Sequence, residues 1–143
     1  MSNHSGSVVA FDFGLSQIGV ATGNARFSTS QPLPILKAKD GIPDWHAVQA
    51  LLATWQPEKL IVGDPINMDD SVSELAERAR KFARRLHGRF GLEVIMVDER
   101  LSSQAAKSRQ FERGHKGDFK RRPVDSYAAE LLLHTWFETA RSE

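Results

Sequence analysis

The chain has no cysteine. This excludes thiolate zinc sites and cysteine nucleophiles, and it fits a reducing compartment. No apolar run is long enough to span a bilayer, and the opening MSNHSGS lacks the apolar core of a signal peptide. A cytoplasmic protein without a membrane partner is therefore expected. Internal repeats and linker-like stretches are also lacking. The histidines (His4, His46, His87, His115 and His134) show no metal-ligand spacing and read as surface or structural residues. No serine stands in a nucleophile-elbow pattern.

What is present fits one folded unit. A chain of 143 residues suggests a single domain. At this length folding removes roughly 70% of the unfolded chain's surface from water, enough for a core without disulfides or a structural metal. Residues 1–7 read as a disordered lead-in and 8–140 as the domain. The net charge of +1 conceals a strong asymmetry. Between Arg78 and Arg122 there are 14 Lys and Arg against 5 Asp and Glu, whereas the remainder carries 5 against 13. A basic segment set against an acidic remainder points to a polyanionic partner, although solvated helix faces would produce the same count.

The hydrophobic pattern predicts an element order of β-β-β-α-β-α-β-α. Val8–Phe13 and Ile18–Gly23 read as strands around a tight turn in which Gly14 supplies backbone freedom, and a third strand is placed near Leu33–Ala38. Asp44 caps a helix whose stripe is Trp45, Val48, Leu51, Leu52 and Trp55, and Pro57 ends it. KLIVGD (Lys59–Asp64) is a short apolar strand of the doubly buried kind. Ser71 and Glu74 form a capping-box pattern. The helix that follows has the stripe Leu75, Ala79, Phe82, Leu86 and Phe90, ends at Gly88 or Gly91, and carries Arg78, Arg80, Lys81, Arg84, Arg85 and Arg89 off the stripe. EVIMV (Glu93–Val97) is another strand. A short helix is expected over 102–112, a basic loop over 113–123, and a last helix from near Pro123. This order implies an α/β fold with one mixed, five-stranded sheet and helices on its faces.

Three acids stand where acids are costly. Asp12 shares the strand parity of Val8 and Ala10. Glu99 follows Ile95 and Val97 with their parity. Asp125 precedes Ala128, Ala129, Leu132 and Trp136 at helical spacing and so shares their apolar face. An ionised carboxylate buried without a partner costs several kcal/mol or more. Each acid alone has a bland reading: Asp12 as a turn cap, Glu99 as a partner of Arg100, Asp125 as a favourable charge at a helix N-terminus. If the three converge, their repulsion calls for a divalent cation. Oxygen ligands without Cys or clustered His select Mg²⁺ or Mn²⁺ over zinc. Two such ions activate a water and stabilise the leaving oxygen of a phosphodiester. The basic segment would then grip the nucleic acid.

In order along the chain, AFDFG with IGVA, IVGDPINMD, VDERLS and VDSYAAELLL resemble the motifs of the YqgF family. Its members are also called RuvX-like Holliday junction resolvases or pre-16S rRNA nucleases. The resemblance covers about Val8 to Phe137, and its four ordered motifs make it specific. It implies the ribonuclease H-like fold, and it implies that Asp12, Glu99 and Asp125 are the catalytic, metal-binding carboxylates. It further implies a metal-dependent nuclease of the cytoplasm that trims the 5′ end of the 16S rRNA precursor, with RNA or a pre-ribosomal particle as partner. Asn67 matches the polar residue of the loop after KLIVGD and would shape the rim. Arg100 would contact a phosphate unless the adjacent acid claims it. Arg84 and Arg85 on the basic helix are expected to bind substrate.

Two departures from the family pattern stand out. The turn after Gly14 reads Leu15-Ser16-Gln17 where a Thr and a basic residue are usual, which implies weaker substrate contact there. Asp64 stands where the family has an apolar residue, and is expected to sit in solvent or serve the loop, the alternative being a fourth carboxylate at the cleft. Three other functions stay open: a dimeric Holliday junction resolvase acting on branched DNA, a nucleic-acid-binding module without catalysis, and an ATPase of the actin-like kind. The ATPase reading shares the Asp-x-Gly turn but needs two such domains, and the chain is too short for that. Monomer and homodimer are both compatible with the sequence.

Overall fold

The computed structural model describes residues 6–69, 71–101 and 124–142. Its strands are β1 (Ser7–Asp12), β2 (Gln17–Asn24), β3 (Thr29–Lys39), β4 (Ile42–Pro43), β5 (Lys59–Asp64) and β6 (Glu93–Asp98). Its helices are α1 (Trp45–Trp55), α2 (Glu74–Phe90) and α3 (Val124–Ser142). The helix expected over 102–112 and the basic loop over 113–123 lie outside the described residues.

The six strands form one sheet in the order β4-β3-β2-β1-β5-β6. β1 runs antiparallel to β2 and parallel to β5, and β5 runs parallel to β6. The carboxyl ends of β1, β5 and β6 therefore share one edge. This mixed sheet with helices on both faces is the expected architecture with one strand more. The extra strand is the two-residue β4, which folds back on Ala38 and Lys39 through a tight turn at Asp40 and Gly41. β3 is also longer than the expected Leu33–Ala38. Pro32 and Pro34 do not end it, because most of its outer side has no partner strand and a proline there removes no ladder bond.

Alternation along β1 divides the core. Val9, Phe11 and Phe13 face one way, together with Ile18, Val20, Leu60 and Val62, and are covered by α1 and α2. Val8 and Ala10 face the other way, with Ala21, Ile61 and Val97, and are covered by Ala129, Leu132, Leu133 and Phe137 of α3. β1 is buried on both faces, which explains why it is apolar at nearly every position. On the α3 side, the Ser30 hydroxyl meets Glu130 and His134, each at 2.8 Å, which ties α3 to β3 and gives buried His134 a structural role. No helix among the described residues is long and apolar enough to cross a membrane.

The caps follow local chemistry, with one correction. Asp44 caps α1, its carboxylate accepting from the His46 amide at 2.9 Å. The cap of α2 is Ser73, whose hydroxyl accepts from the Ala76 amide at 3.1 Å. The expected Ser71 is engaged earlier in the loop: its amide and hydroxyl donate to Asp69 at 3.0 and 2.6 Å, and its hydroxyl accepts from Asn67 at 2.9 Å. Of the two glycines considered for the end of α2, Gly91 is the C-cap, at φ 68°. Gly14 has no positive φ; the constraint there is space, since a Cβ would lie 2.5 Å from the Gln17 carbonyl oxygen.

Phe82 holds the α2 layer together. Its ring meets Phe11 edge-on at 5.6 Å, Phe13 at 5.4 Å and the stacked indole of Trp45 at 5.9 Å. Phe82→Ala should lower stability by about 3–5 kcal/mol in urea unfolding, because the ring leaves a cavity that three surrounding aromatics cannot close. A loss below about 1 kcal/mol would mean that the layer repacks.

Candidate active site

Three strand ends bring acids to one edge, and the pleat sorts them by face. Asp64 follows Leu60 and Val62, and Asp98 follows Val94 and Met96, so both belong to the α2 side. They are also register partners across β5 and β6. Two like charges side by side are unfavourable, and each has its own arginine. Arg80 on α2 donates to Asp64 through Nε at 3.2 Å and Nη2 at 2.9 Å. Arg100 donates to Asp98 through Nε at 3.0 Å and Nη2 at 2.7 Å, and its amide donates to the same carboxylate at 2.9 Å. The Arg100 hydrogen bonds hold the Asp98 carboxyl below the usual carboxylate range.

These pairs correct one expectation and specify another. Asp64 is not in solvent. It is 7% exposed and anchors α2 through Arg80. Arg100 is claimed by the adjacent acid, and its Nη1 also donates to the Asn67 carbonyl at 3.2 Å, so it braces the loop after β5. Asn67 is exposed on that loop, its side-chain amide donating to Ser71.

The opposite parity carries Asp12 and Glu99. Asp12 follows Val8 and Ala10 and so belongs to the α3 side, half-buried. Glu99, just past β6, lies across Gly63 of β5: a Cβ on Gly63 would come 2.5 Å from Glu99 Oε2 and 3.0 Å from its Cδ. Gly63 shares the parity of Ile61, which packs under α3. The Glu99 carboxyl is pushed above its ordinary value, first by burial and then by the charges of Asp64 and Asp98. Asp64 thus contributes a negative field to this edge even though Arg80 holds it.

The path of α3 runs toward the same edge. Leu133 and Phe137 lie against Gly23, which pairs with Val8 at the start of β1. The Lys59 ammonium, at the start of β5, lies 5.8 Å from the Trp136 ring. The C-terminal half of α3 therefore sits at the amino ends of the parallel strands. Going back to Asp125 covers about 18 Å of helix, against about 13 Å along β1 from Val8 to Asp12. The backbone so carries the first turn of α3, with Asp125, toward the end where Asp12 and Glu99 lie. Among the described residues no group of three Asp, Glu or His is close enough to hold a metal, and the Asp125 side chain is not one of those described.

Arg84 and Arg85 lie on α2, in the layer on the other side of the sheet from Asp12 and Glu99. Arg84 is exposed; Arg85 is half-buried and lines a cavity. Sequence reasoning missed Gly63. A lone glycine inside an apolar strand often marks a close approach, and that was the available signal.

The class and family follow from comparison with known proteins. The Thermus thermophilus RuvC structure in complex with a Holliday junction aligns with a TM-score of 0.63 at 16% identity, covering 94% of this chain and 95% of that one. The fowlpox virus Holliday junction resolvase aligns with a TM-score of 0.52 at 15% identity, covering 94% and 99%. The fold is thus that of the RuvC-type, ribonuclease H-like resolvases. The RuvX family, described as Holliday junction resolvase, matches residues 6–139, and the chain belongs to that family. A Marinobacter nauticus relative is 54% identical over 129 residues, covering 90% of each chain. An Escherichia coli relative is 50% identical over 134 residues, covering 94% of this chain and 97% of its own. Both carry the name "Putative pre-16S rRNA nuclease".

The raised Glu99 carboxyl has a stability consequence. An acid whose folded pKa lies above its ordinary 4.5 destabilises the fold once ionised. Its contribution is most favourable below that value and is lost as pH rises through the folded pKa. In metal-free buffer, Glu99→Gln should melt higher than wild type at neutral pH, and the gain should vanish as pH falls below the ordinary carboxylate value. A variant less stable than wild type at pH 7 would contradict the assignment.

Proposed function

We propose that the chain is a metal-dependent nuclease that hydrolyses phosphodiester bonds in the 5′-end processing of the 16S rRNA precursor, in the cytoplasm. Asp12, Glu99 and Asp125 are its catalytic carboxylates. The observation that carries this reading is the sorting of acids by face. On the α2 side each carboxylate at the sheet edge has an arginine. On the α3 side Glu99 lies half-buried over a glycine beside further negative charge, Asp12 shares its face, and the first turn of α3 heads there.

That donor set fits a hard cation. Carboxylate oxygens without thiolate or clustered imidazole suit Mg²⁺ or Mn²⁺. The field of Asp64 and Asp98 adds to the demand for positive charge at Glu99. When bound, such ions supply an activated water and stabilise the leaving oxygen of a phosphodiester. The protein's part is positional. β1 is buried on both faces and holds Asp12 rigidly, Gly63 leaves room for Glu99, and the Asp98–Arg100 pair fixes the turn from which Glu99 projects. Precursor rRNA is preferred as substrate because relatives at 50–54% identity over about nine-tenths of the chain carry that name.

A second reading, cleavage of four-way DNA junctions, rests on the description of the family itself. The chemistry would be the same, but symmetric cutting of two strands requires a dimer. Both readings are tested together by incubating the protein with Mg²⁺ or Mn²⁺ and either a precursor 16S fragment or a four-way junction. Wild type should cut the RNA; Asp12→Asn should lose cleavage by roughly a thousandfold or more while binding RNA as well as before. A wild type that cuts only junctions, as a dimer, would replace the rRNA reading. One that cuts neither substrate would leave a binding module.

A further inference from the structure

Next to the acidic edge, on the other face of the sheet, is a cavity of about 200 Å³. Its floor is Phe13 and Phe82, one wall is the β3–β4 turn from Asp40 to Ile42, and the other is α2, which presents Arg78, Lys81 and Arg85. The spacing of these three, at i, i+3 and i+7, places them along one flank of the helix.

The turn is built to stay in place. Asp40 and Gly41 have φ of 52° and 81°, and a Cβ on Gly41 would lie 2.9 Å from Cζ of Phe13. The Gly41 amide donates to the Leu15 carbonyl at 2.8 Å, joining the turn to the loop after Asp12. Arg78 Nη1 donates to the Asp40 carboxylate at 2.7 Å and closes the wall. That pair neutralises the cavity's acid. Lys81 and Arg85 have no partner among the described residues, so two uncompensated cations face a cavity floored by aromatic rings. Such a floor lowers the local dielectric and strengthens attraction to an anion.

We infer that this cavity is a binding site for a backbone phosphate of single-stranded RNA, flanking the bond that is cut. Lys81 and Arg85 are its ligands, Arg78 is the residue that positions the turn, and Ile42, 49% exposed at the lip, meets the adjoining sugar. The occupant is a nucleic-acid strand on grounds of continuity. Phe13 follows Asp12 directly, so a strand crossing the end of β1 passes from the α3 face, where Asp12 lies, to this cavity. A guanidinium with an ammonium is a common phosphate pair. The site rests on the nuclease reading only for the identity of the strand.

The test uses a fluorescent single-stranded RNA in EDTA, so that cleavage cannot intervene, with anisotropy read over a range of salt. Lys81→Ala/Arg85→Ala should bind roughly tenfold more weakly near 0.1 M salt, and its log–log salt slope should flatten by about 0.7 for each phosphate no longer neutralised. Ile42→Glu, which adds a negative charge at the lip, should weaken binding similarly. Arg26→Ala, an exposed cation at the far end of the sheet, should not, and all variants should melt like wild type. Wild-type affinity in the double variant overturns the site, as does displacement of RNA by polyglutamate at equal charge concentration, which would assign the cavity to an acidic protein. Cleavage with Mg²⁺, measured separately, keeps the two proposals apart. Lost affinity without any wild-type cleavage leaves the site standing and the nuclease reading fallen. Unchanged KM and kcat in the double variant do the reverse.

Discussion

The structure depends on how one sheet edge tolerates its negative charge. Three parallel strands end together, and each delivers a carboxylate within a residue of its end: Asp12, Asp64, and Asp98 with Glu99. Strand alternation assigns them to opposite faces. On one face, Arg80 and Arg100 pair with Asp64 and Asp98 and in doing so fasten α2 and the loop after β5. On the other, partial burial and neighbouring negative charge push the half-buried Glu99 carboxyl above its ordinary value. The first face uses its charge to hold the fold; the second is the one to which the proposed chemistry is assigned. This division follows from the period of two along a strand and needs no special geometry.

The buried rigidity of the sheet serves the same end. β1 is enclosed by both cores, so Asp12 has a fixed mount. Gly63 leaves the space that Glu99 occupies. The β3–β4 turn, locked on Phe13 and tied by Arg78, stands on the far side of the same edge with two cations turned toward it. A negatively charged strand passing over the end of β1 would meet a cation-demanding acidic face on one side and a cationic cavity on the other.

Much of this was legible in the sequence, for physical reasons. Strand parity matched Asp12 to Val8 and Ala10 and Glu99 to Ile95 and Val97, and helical spacing put Asp125 on the apolar stripe of the last helix. That Asp12 and Glu99 share a face came only with the pairing of β1, β5 and β6. The α1 cap at Asp44 was also readable, because a cap bond is local. What stayed hidden required knowing which elements pack together. The Asp64–Arg80 pair spans strand and helix, and nothing in KLIVGD announces a partner on α2. The capping box at Ser71 failed because its hydroxyl is engaged within the loop, accepting from Asn67 and donating to Asp69, and Ser73 accepts the helix amide instead. The six basic residues of α2 looked alike in sequence. In the fold Arg78 and Arg80 are ion-paired, Arg89 lies 4.2 Å over the Trp45 ring, and only Lys81, Arg84 and Arg85 are left for a ligand among the described residues.

The central claim is that Asp12, Glu99 and Asp125 form one cation site. Crystals soaked in Mn²⁺ and measured at the manganese absorption edge test it most directly. The account predicts anomalous density between the three carboxylates, with Asp12 and Glu99 oxygens in its coordination shell and Asp125 completing it. Manganese bound elsewhere, or an Asp125 carboxylate turned away from Asp12 and Glu99 in the soaked crystal, would contradict it.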